Sequence, residues 1–494
     1  MNNNTIDAKE IKSNLRSHKK DFSSGIRIKI DNEFYYSNNV SNSLIIGTTQ
    51  SGKTKGIINP LLYSIADSEE SAVVVDIKGE LWEATSGYFE TKGYEVKLLD
   101  LYNPSKSFSW NPLQIPYESF LDDNNEEVIH YLSSLAESIF FDSSSNDDFW
   151  YSTSSDLFVA LALSLFKSAQ SKAQINLRSI AIMGGCGNER IGSQSVLLAF
   201  YERNQNSVEY LFANAVINSP QETRQSIFSV FNNRIQHYSL NTKLTRALSK
   251  SEIDIKNLRN KKYVIFIRGS SIDRKTNSLI SVFIKQCYSF LSTLKNEYVN
   301  FVLDDLCDLP VIPDLYTMLS NSAYYKFKFY LSVNSLSIME KKYSENVMTG
   351  IMNNCLDWYI LNCLDTKKIS DVLGDNTANM LRELKRGDSY VFINGLKTFY
   401  THFQDYSGYC KQIKSKRINE SADLFNIETF DIKSVVKGNF PVPTHSSLDL
   451  DDLVKRIDSK IEELEAEERA EKEKLEAEEK AEKENNKKDD TPSK

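Results

Sequence analysis

The residues with the most chemistry in them lie between 43 and 56, "SLIIGTTQSGKTKG". Gly47, Thr48, Thr49, Gln50, Ser51, Gly52, Lys53 and Thr54 meet the spacing G-x-x-x-x-G-K-[ST], with an apolar strand before them and a helix-compatible stretch, "KTKGIINPLLYSIAD", after them. A tight loop bounded by glycines points several backbone N–H groups into one concavity, and the helix that opens there adds its positive end, so the loop is an anion site. In that frame Lys53 reaches the β- and γ-phosphates of a nucleotide and Thr54 ligates Mg²⁺.

Nucleotide hydrolysis also needs an acid at the end of a buried strand for the metal, and usually a second carboxylate to orient the attacking water. Two strands qualify, "VVVDIK" with Asp76 and "FVLDDL" with Asp304 and Asp305. Only the second offers adjacent acids, and successive residues at a strand end point differently. Asp304 is therefore assigned to Mg²⁺ and Asp305 to the water. A single strand-end acid such as Asp76 is ordinarily a helix cap or a solvated loop residue. In "FYLSVNSL", Asn334 stands at a strand end where a side-chain amide can polarise the water or sense the γ-phosphate; taken alone it reads as a turn residue.

These groups need a parallel α/β sheet to hold them. After a polar arm over residues 1–24, "IRIKIDNEFYYS" alternates as an edge hairpin does and leads into the strand before the loop. "SAVVVDIKGEL" and "YEVKLLDL" are the next buried strands. From 120 to 235 the spacing turns helical, in "EEVIHYLSSLAESIF", "DLFVALALSLFKSA", "SVLLAFYERN" and "SVEYLFANAVIN", which predicts an all-α insertion. Strands resume with "KKYVIFIRG", "YVNFVLDDL", "KFKFYLSVN" and "DWYILNCL". The expected fold class is thus α/β, with a nucleotide-binding part in two pieces, 25–119 and 236–440, around the insertion. Residues 441–494 read as a charged tail, whose Leu453, Ile457, Ile461 and Leu464 support a short amphipathic helix or the start of a coiled coil.

At 494 residues the chain is too long for one ordinary core. Its six cysteines are scattered without C-x-x-C spacing and its N-terminus is polar, so they read as reduced thiols in a cytosolic protein. Five isolated histidines argue against a His/Cys metal site. The longest apolar run, "LFVALALSLF", is about half of what a membrane-spanning helix needs. The formal net charge of −8 is concentrated in residues 451–494, which carry −6 of it. Any DNA contact must therefore come from local basic patches or from a central channel in an oligomer.

In order along the chain, "GTTQSGKT", "VVVDIKGELWEATSGYFETKGYEVKLLDL", "WNPL", "DFWYSTSSDLFVALALSLF", "SPQETRQSIFSVFNNRI", "FVLDDLCDLPVIPDL", "YLSVNSL" and "IMNNCLDWYILNCLDTKKISDVLGDNT" resemble the TraG-type coupling proteins of type IV secretion and conjugation, relatives of the HerA/FtsK translocases. The resemblance spans roughly residues 40–400. It implies a RecA-like P-loop NTPase that uses ATP and Mg²⁺ and is stimulated by single- or double-stranded DNA. It further implies a homo-hexameric ring that recruits a relaxase or another secretion substrate through its all-α domain and passes it to a membrane channel. By position, Lys53 and Thr54 match the phosphate-loop pair, Asp304 the metal-site acid, Asp305 the water-activating acid and Asn334 the amide sensor.

The departures matter as much. The family usually has Glu at 305 and Gln at 334, so each side chain here is shorter by about 1.3–1.5 Å, a displacement that can slow a positioned reaction roughly a hundredfold. The segment between them lacks the arginine that completes a neighbour's site, and Lys326 and Lys328 are the nearest cations there; Arg224 and Arg268 are alternatives. Family members commonly begin with transmembrane helices, whereas only 46 residues, largely polar, precede Gly47 here, so the expectation is a cytoplasmic protein that either is held at the membrane by a tethering partner or works in the cytosol. Two other readings stand beside the motor: a receptor or adaptor that holds ATP with little turnover, and a cytosolic FtsK-like DNA translocase.

Overall fold

The computed structural model describes residues 8–437 except 406–425 and short stretches at 14, 18–22, 32, 38–41, 142–147, 192–193, 203–204, 254, 256–260, 271–274, 293–297 and 374–376. The expected tail at 441–494 lies outside the described residues. Ahead of the phosphate loop, β1 (Leu15–Ser17), β2 (Ile28–Ile30) and β3 (Glu33–Ser37) form a small antiparallel sheet in the order β1-β3-β2. The β2–β3 hairpin is thus paired with β1 rather than with the main sheet. Part of the expected polar arm is folded as well. A short helix, Ala8–Ser13, leads into β1, because Ile11 and Leu15 bury their side chains.

The main sheet has nine strands: β4 (Asn42–Ile46), β5 (Ser71–Val75), β6 (Glu95–Asp100), β9 (Tyr263–Arg268), β10 (Val299–Leu303), β11 (Phe327–Val333), β12 (Cys355–Ile360), β13 (Asp388–Ile393) and β14 (Phe399–His402). Their order is β14-β13-β12-β4-β11-β10-β5-β9-β6. The strands from β12 to β6 run parallel, and β13 and β14 close one edge antiparallel. Runs such as "SAVVV" and "VNFVL" are buried at every position, as strands covered by helices on both faces must be. Alternate residues serve separate cores: Val73 and Val75 face one, Ala72 and Val74 the other. The edge hairpin turns at Asn394-Gly395, where Gly395 takes the left-handed conformation (φ 87°) that such a turn favours.

Between β6 and β9 the chain is helical, apart from the two-residue strands β7 (Arg190–Ile191) and β8 (Gln194–Ser195). The helices extend beyond the expected 120–235, from Gln114–Leu121 to Thr242–Ala247. At their centre is Phe149–Ser168, packed by Asn125–Phe140, Leu177–Gly185, Val208–Ile217 and Gln221–Ile235. With 20 residues it is long and apolar enough by composition to cross a membrane, more than the sequence reading allowed; 67% of its apolar window is buried in this fold, where it is the core helix of the bundle.

"WNPL" is where the excursion starts and ends. The Trp110 backbone N–H donates to Ala247 O (2.7 Å), Asn111 N–H to Ser251 Oγ (2.9 Å) and Asn111 Nδ2 to Ile175 O (2.6 Å). Trp110 Nε1 donates to Gln286 Oε1 (3.1 Å), whose Nε2 donates to Pro112 O (2.9 Å), which fixes this joint to the helix Ser278–Ser292 beneath the sheet. The segment 426–436, expected with the nucleotide-binding part, instead docks on the bundle. Asn176 Nδ2 donates to Glu428 O (2.9 Å), Phe430 N–H donates to Ser179 Oγ (3.0 Å), and Phe430, Ile432 and Val436 are buried there.

Candidate nucleotide site

β4 delivers the loop between β12 and β11, and both neighbours grip it. Gly47 N–H donates to Val333 O (3.1 Å) and Thr48 N–H to Asn362 O (2.8 Å). Gly47 is a close approach, since a Cβ there would lie 2.5 Å from Ser51 Oγ. Gly52 has φ 110°, and its hypothetical Cβ would meet Gly387 N at 3.2 Å, where Gly387 N–H donates to Ser51 O (3.0 Å). The loop then enters a helix through one wide turn, Lys53–Ile58, in which Asn59 N–H reaches back to Thr54 O. That turn accommodates Pro60, which has no N–H to give and whose ring would crowd the carbonyl four residues earlier.

The predicted side chains converge. Lys53, 5% exposed, donates to Gly47 O (2.5 Å), Thr48 O (3.1 Å) and Asn334 Oδ1 (2.6 Å). Asn334 Nδ2 donates to Asp305 Oδ1 (3.1 Å), and Thr54 Oγ1 donates to Asp304 Oδ2 (3.5 Å). The sheet order explains the convergence: β11, which is followed directly by Asn334, lies between β4, which leads into the loop, and β10, which leads into the acids. Asp305 takes a left-handed backbone (φ 51°), which Asp tolerates better than most residues, and its N–H donates to Asp304 Oδ1 (3.0 Å).

Burial first, then Asp305 beside it, pushes Asp304 up to about 7. Burial also lowers the Lys53 ammonium, against the pull of Asp305 and Asp304. A divalent cation relieves such a crowded carboxylate. The donors are oxygens, one hydroxyl and one carboxylate, which leaves positions for phosphate oxygens and water as Mg²⁺ prefers. Ser51 Oγ, buried in the loop without a protein partner, adds a polar atom suited to a phosphate. The residues present therefore fit a Mg²⁺ nucleotide.

Asp76 is a cap. Its carboxylate accepts from Gly79 N–H (2.9 Å) and Trp82 N–H (2.8 Å) at the start of the helix Glu80–Thr91, and burial raises it to about 6 against those bonds. Lys328 sits at the opposite end of β11, buried and paired with Glu70 (2.8 Å), so it cannot complete a neighbour's site. Lys326 is exposed beside it, 6.0 Å from the Tyr298 ring. Arg268 lies over Tyr102 (4.8 Å) and 3.7 Å from Asp100. Arg224 is held in the bundle by Ile217 O and Ser219 O.

Sequence reasoning missed Lys78. Its Nζ is 2.5 Å from Asp305 Oδ2. The signal was present in "DIKGEL", where attention went to the acid and not to the lysine two residues on. The hairpin β13–β14 was missed too, although Asn394-Gly395 is a strong turn signal; it places Arg386 and Gly387 against the loop.

A parallel sheet with a phosphate loop, a strand-end acid pair and a bridging amide defines the P-loop NTPase fold. Within that class, residues 2–388 match the family described as Type IV secretory system Conjugative DNA transfer, and the chain belongs to this family. The conjugal transfer protein TraG of Escherichia coli is 26% identical over 353 residues, 66% of this chain and 53% of that protein. VirD4 of Rhizobium radiobacter is 24% identical over 339 residues, 63% of this chain and 44% of that one. The chain thus spans about half the length of the curated relatives it matches. Among solved structures, the plasmid coupling protein TrwB in complex with the non-hydrolysable ATP analogue ADPNP superposes with TM-score 0.59 at 12% identity, covering 83% of this chain and 94% of that one. TrwB has also been solved with ADP and Mg²⁺, at TM-score 0.58 and 12% identity over 78% of this chain and 90% of that one.

Proposed function

We propose that this protein is the ATP-hydrolysing coupling protein of a conjugative type IV secretion system, which drives DNA, or a relaxase or other protein cargo, toward a membrane channel. The observation that carries the reading is the unbroken contact chain from Lys53 through Asn334 to Asp305, which joins the phosphate loop to the carboxylate proposed to act on water. Thr54 and Asp304 would hold Mg²⁺, which when bound would neutralise phosphate charge. Lys53 leaves the carbonyls of Gly47 and Thr48 for the β- and γ-phosphate oxygens. Asp305 takes a proton from the water whose oxygen bonds to the γ-phosphorus as the bond to the ADP oxygen breaks.

The short Asp305 and Asn334 do not open the site, because each meets the other directly at 3.1 Å. That contact favours a working motor over a receptor that only holds ATP. ATP is the proposed nucleotide, DNA the proposed stimulus, and a homo-hexamer at the cytoplasmic face of a membrane the proposed assembly. The helical bundle, with boundaries near 120 and 235, is the proposed cargo-recognition part.

The test is ATP hydrolysis by the purified protein with and without single- and double-stranded DNA, beside Lys53→Ala. Turnover that DNA raises and the variant abolishes is expected. ATP binding with no turnover above the variant, in either kind of DNA, would sink the motor and leave the receptor.

A further inference from the structure

We propose that Lys78 is a second same-chain cation, beside Lys53, that meets the terminal phosphate of the bound nucleotide. The inference rests on the reading of Asp305 given above and adds the positive charge that the segment between Asp305 and Asn334 lacks.

Four groups form one row: Lys53 Nζ to Asn334 Oδ1 at 2.6 Å, Asn334 Nδ2 to Asp305 Oδ1 at 3.1 Å, and Asp305 Oδ2 to Lys78 Nζ at 2.5 Å. Two ammonium groups therefore flank the hydrogen-bonded amide and carboxylate, one at each end of the row. The topology makes this arrangement rigid at its base. β5 and β10 are parallel neighbours with Val75 opposite Leu303, so Lys78 and Asp305 rise from adjacent strand ends. The Asp76 carboxylate pins the backbone of the turn through Gly79 N–H and Trp82 N–H, and Gly79 takes a left-handed backbone (φ 79°) that a side chain would strain. The Lys78 side chain is 52% exposed, so its head can swing from Asp305 to an incoming phosphate while its stem stays fixed. Burial, which would lower it, is outweighed by Asp305, and the ammonium stays protonated.

Two arginines near the loop are engaged elsewhere. Arg268 stacks on Tyr102, and Arg386 lies on the flank beside Gly52, paired with Asp405 at 3.6 Å. The acids lie on the other side of the loop, toward β11 and β10, which is where the row above directs the γ-phosphate. A cation that touches the transferring group is worth far more than one at the surface, and lysine supplies it as a point charge without the fork of arginine.

The experiment measures the affinity of the full chain for ADP and for a non-hydrolysable ATP analogue, with steady-state turnover, in wild type, Lys78→Ala and Lys78→Arg. Lys78→Ala is expected to weaken the analogue about tenfold or more, the scale of a lost charge-assisted contact, with ADP affinity held within about twofold. Turnover falls by a larger factor, Lys78→Arg recovers much of both, and the melting temperature stays close to wild type. The assignment is overturned if Lys78→Ala leaves analogue affinity and turnover unchanged, or weakens ADP and the analogue alike; the first would point to a cation from a neighbouring copy. Wild-type protein that binds neither nucleotide would overturn the ATP reading itself, and this assignment with it.

Discussion

Three strands, β5, β10 and β11, carry polar residues at both of their ends, and the two ends are built in opposite ways. Before or early in these strands stand Glu70, Asn300 and Lys328; after them stand Asp76, Asp304–Asp305 and Asn334. At the first end everything is buried and matched. Glu70 accepts from Lys328 at 2.9 and 2.8 Å, from Ser24 N–H at 3.0 Å and from Asn300 Nδ2 at 2.9 Å. Burial alone would raise the Glu70 carboxyl, but Lys328 beside it holds it below its ordinary value. At the second end a carboxylate is raised to about 7, an aspartate sits in a left-handed backbone, and a serine hydroxyl lacks a protein partner. Charge that is satisfied at home contributes to folding; charge left crowded or underused is available to a ligand.

The largest expected effect breaks the second end alone. Asp305→Ala should lower ATP turnover by about 10² to 10⁴-fold, the range of a lost general base, while nucleotide affinity and melting temperature stay near wild type. A parallel collapse in melting temperature would mean that this end also holds the fold.

Next, Glu70→Ala should destabilise the protein by about 3–5 kcal/mol, because it strands Lys328 as an unpaired buried charge, and should leave the KM for ATP unchanged. Denaturant unfolding with steady-state kinetics reads both quantities. Replacing the pair together, Glu70→Leu with Lys328→Met, should restore most of the loss. Failure of the double variant to recover would assign the cost to Ser24 and Asn300 as well.

A smaller, pH-dependent effect sharpens the contrast. Asp304 is raised in the fold, so between about 4 and 7 the folded chain holds a proton that the unfolded chain has released, and stability contributed by the neutral form is lost as pH rises through that window. Melting temperatures without Mg²⁺ should therefore drop from pH 5 to pH 8 more steeply in wild type than in Asp304→Asn. Glu70 has the opposite sign: its contribution is present above its unfolded value near 4.5 and is lost as pH falls through its lower folded value. Equal slopes for wild type and Asp304→Asn would show that Asp304 does not carry the strain.

The smallest effect is at Asp76. Loss of its cap in Asp76→Ala should cost about 1 kcal/mol in denaturant unfolding, with Asp76→Asn milder because an amide oxygen still accepts. A loss of turnover out of proportion to stability would instead report that the turn carrying Lys78 had moved.

What could be read from residues alone divides along physical lines. The phosphate loop was readable because its chemistry is local: eight consecutive residues make the cradle. Asp304, Asp305 and Asn334 were readable because apolar runs betray strands and their ends are visible. Lys78 was not, because its contact with Asp305 depends on which strands become neighbours, and no spacing rule pairs residues 227 positions apart. Lys328 was misjudged for the same reason. It looked like a free cation near Asn334, but six residues of strand separate the two by about 20 Å, and its partner Glu70 lies in a distant part of the chain. The segment 426–436 has too few apolar residues to announce its seat on the bundle; Phe430, Ile432 and Val436 acquire meaning only against Ser179 and its surroundings.

The joint at Trp110 and Asn111 brings the two ends of the helical bundle to one place on the sheet. Because the Trp110 N–H donates to Ala247 O, the chain leaves and returns through the same doorway, and β6 pairs directly with β9 in the sheet. A chain with 114–247 replaced by a short linker is expected to keep nucleotide binding, and loss of that binding in a folded deletion would show that bundle and engine are a single device.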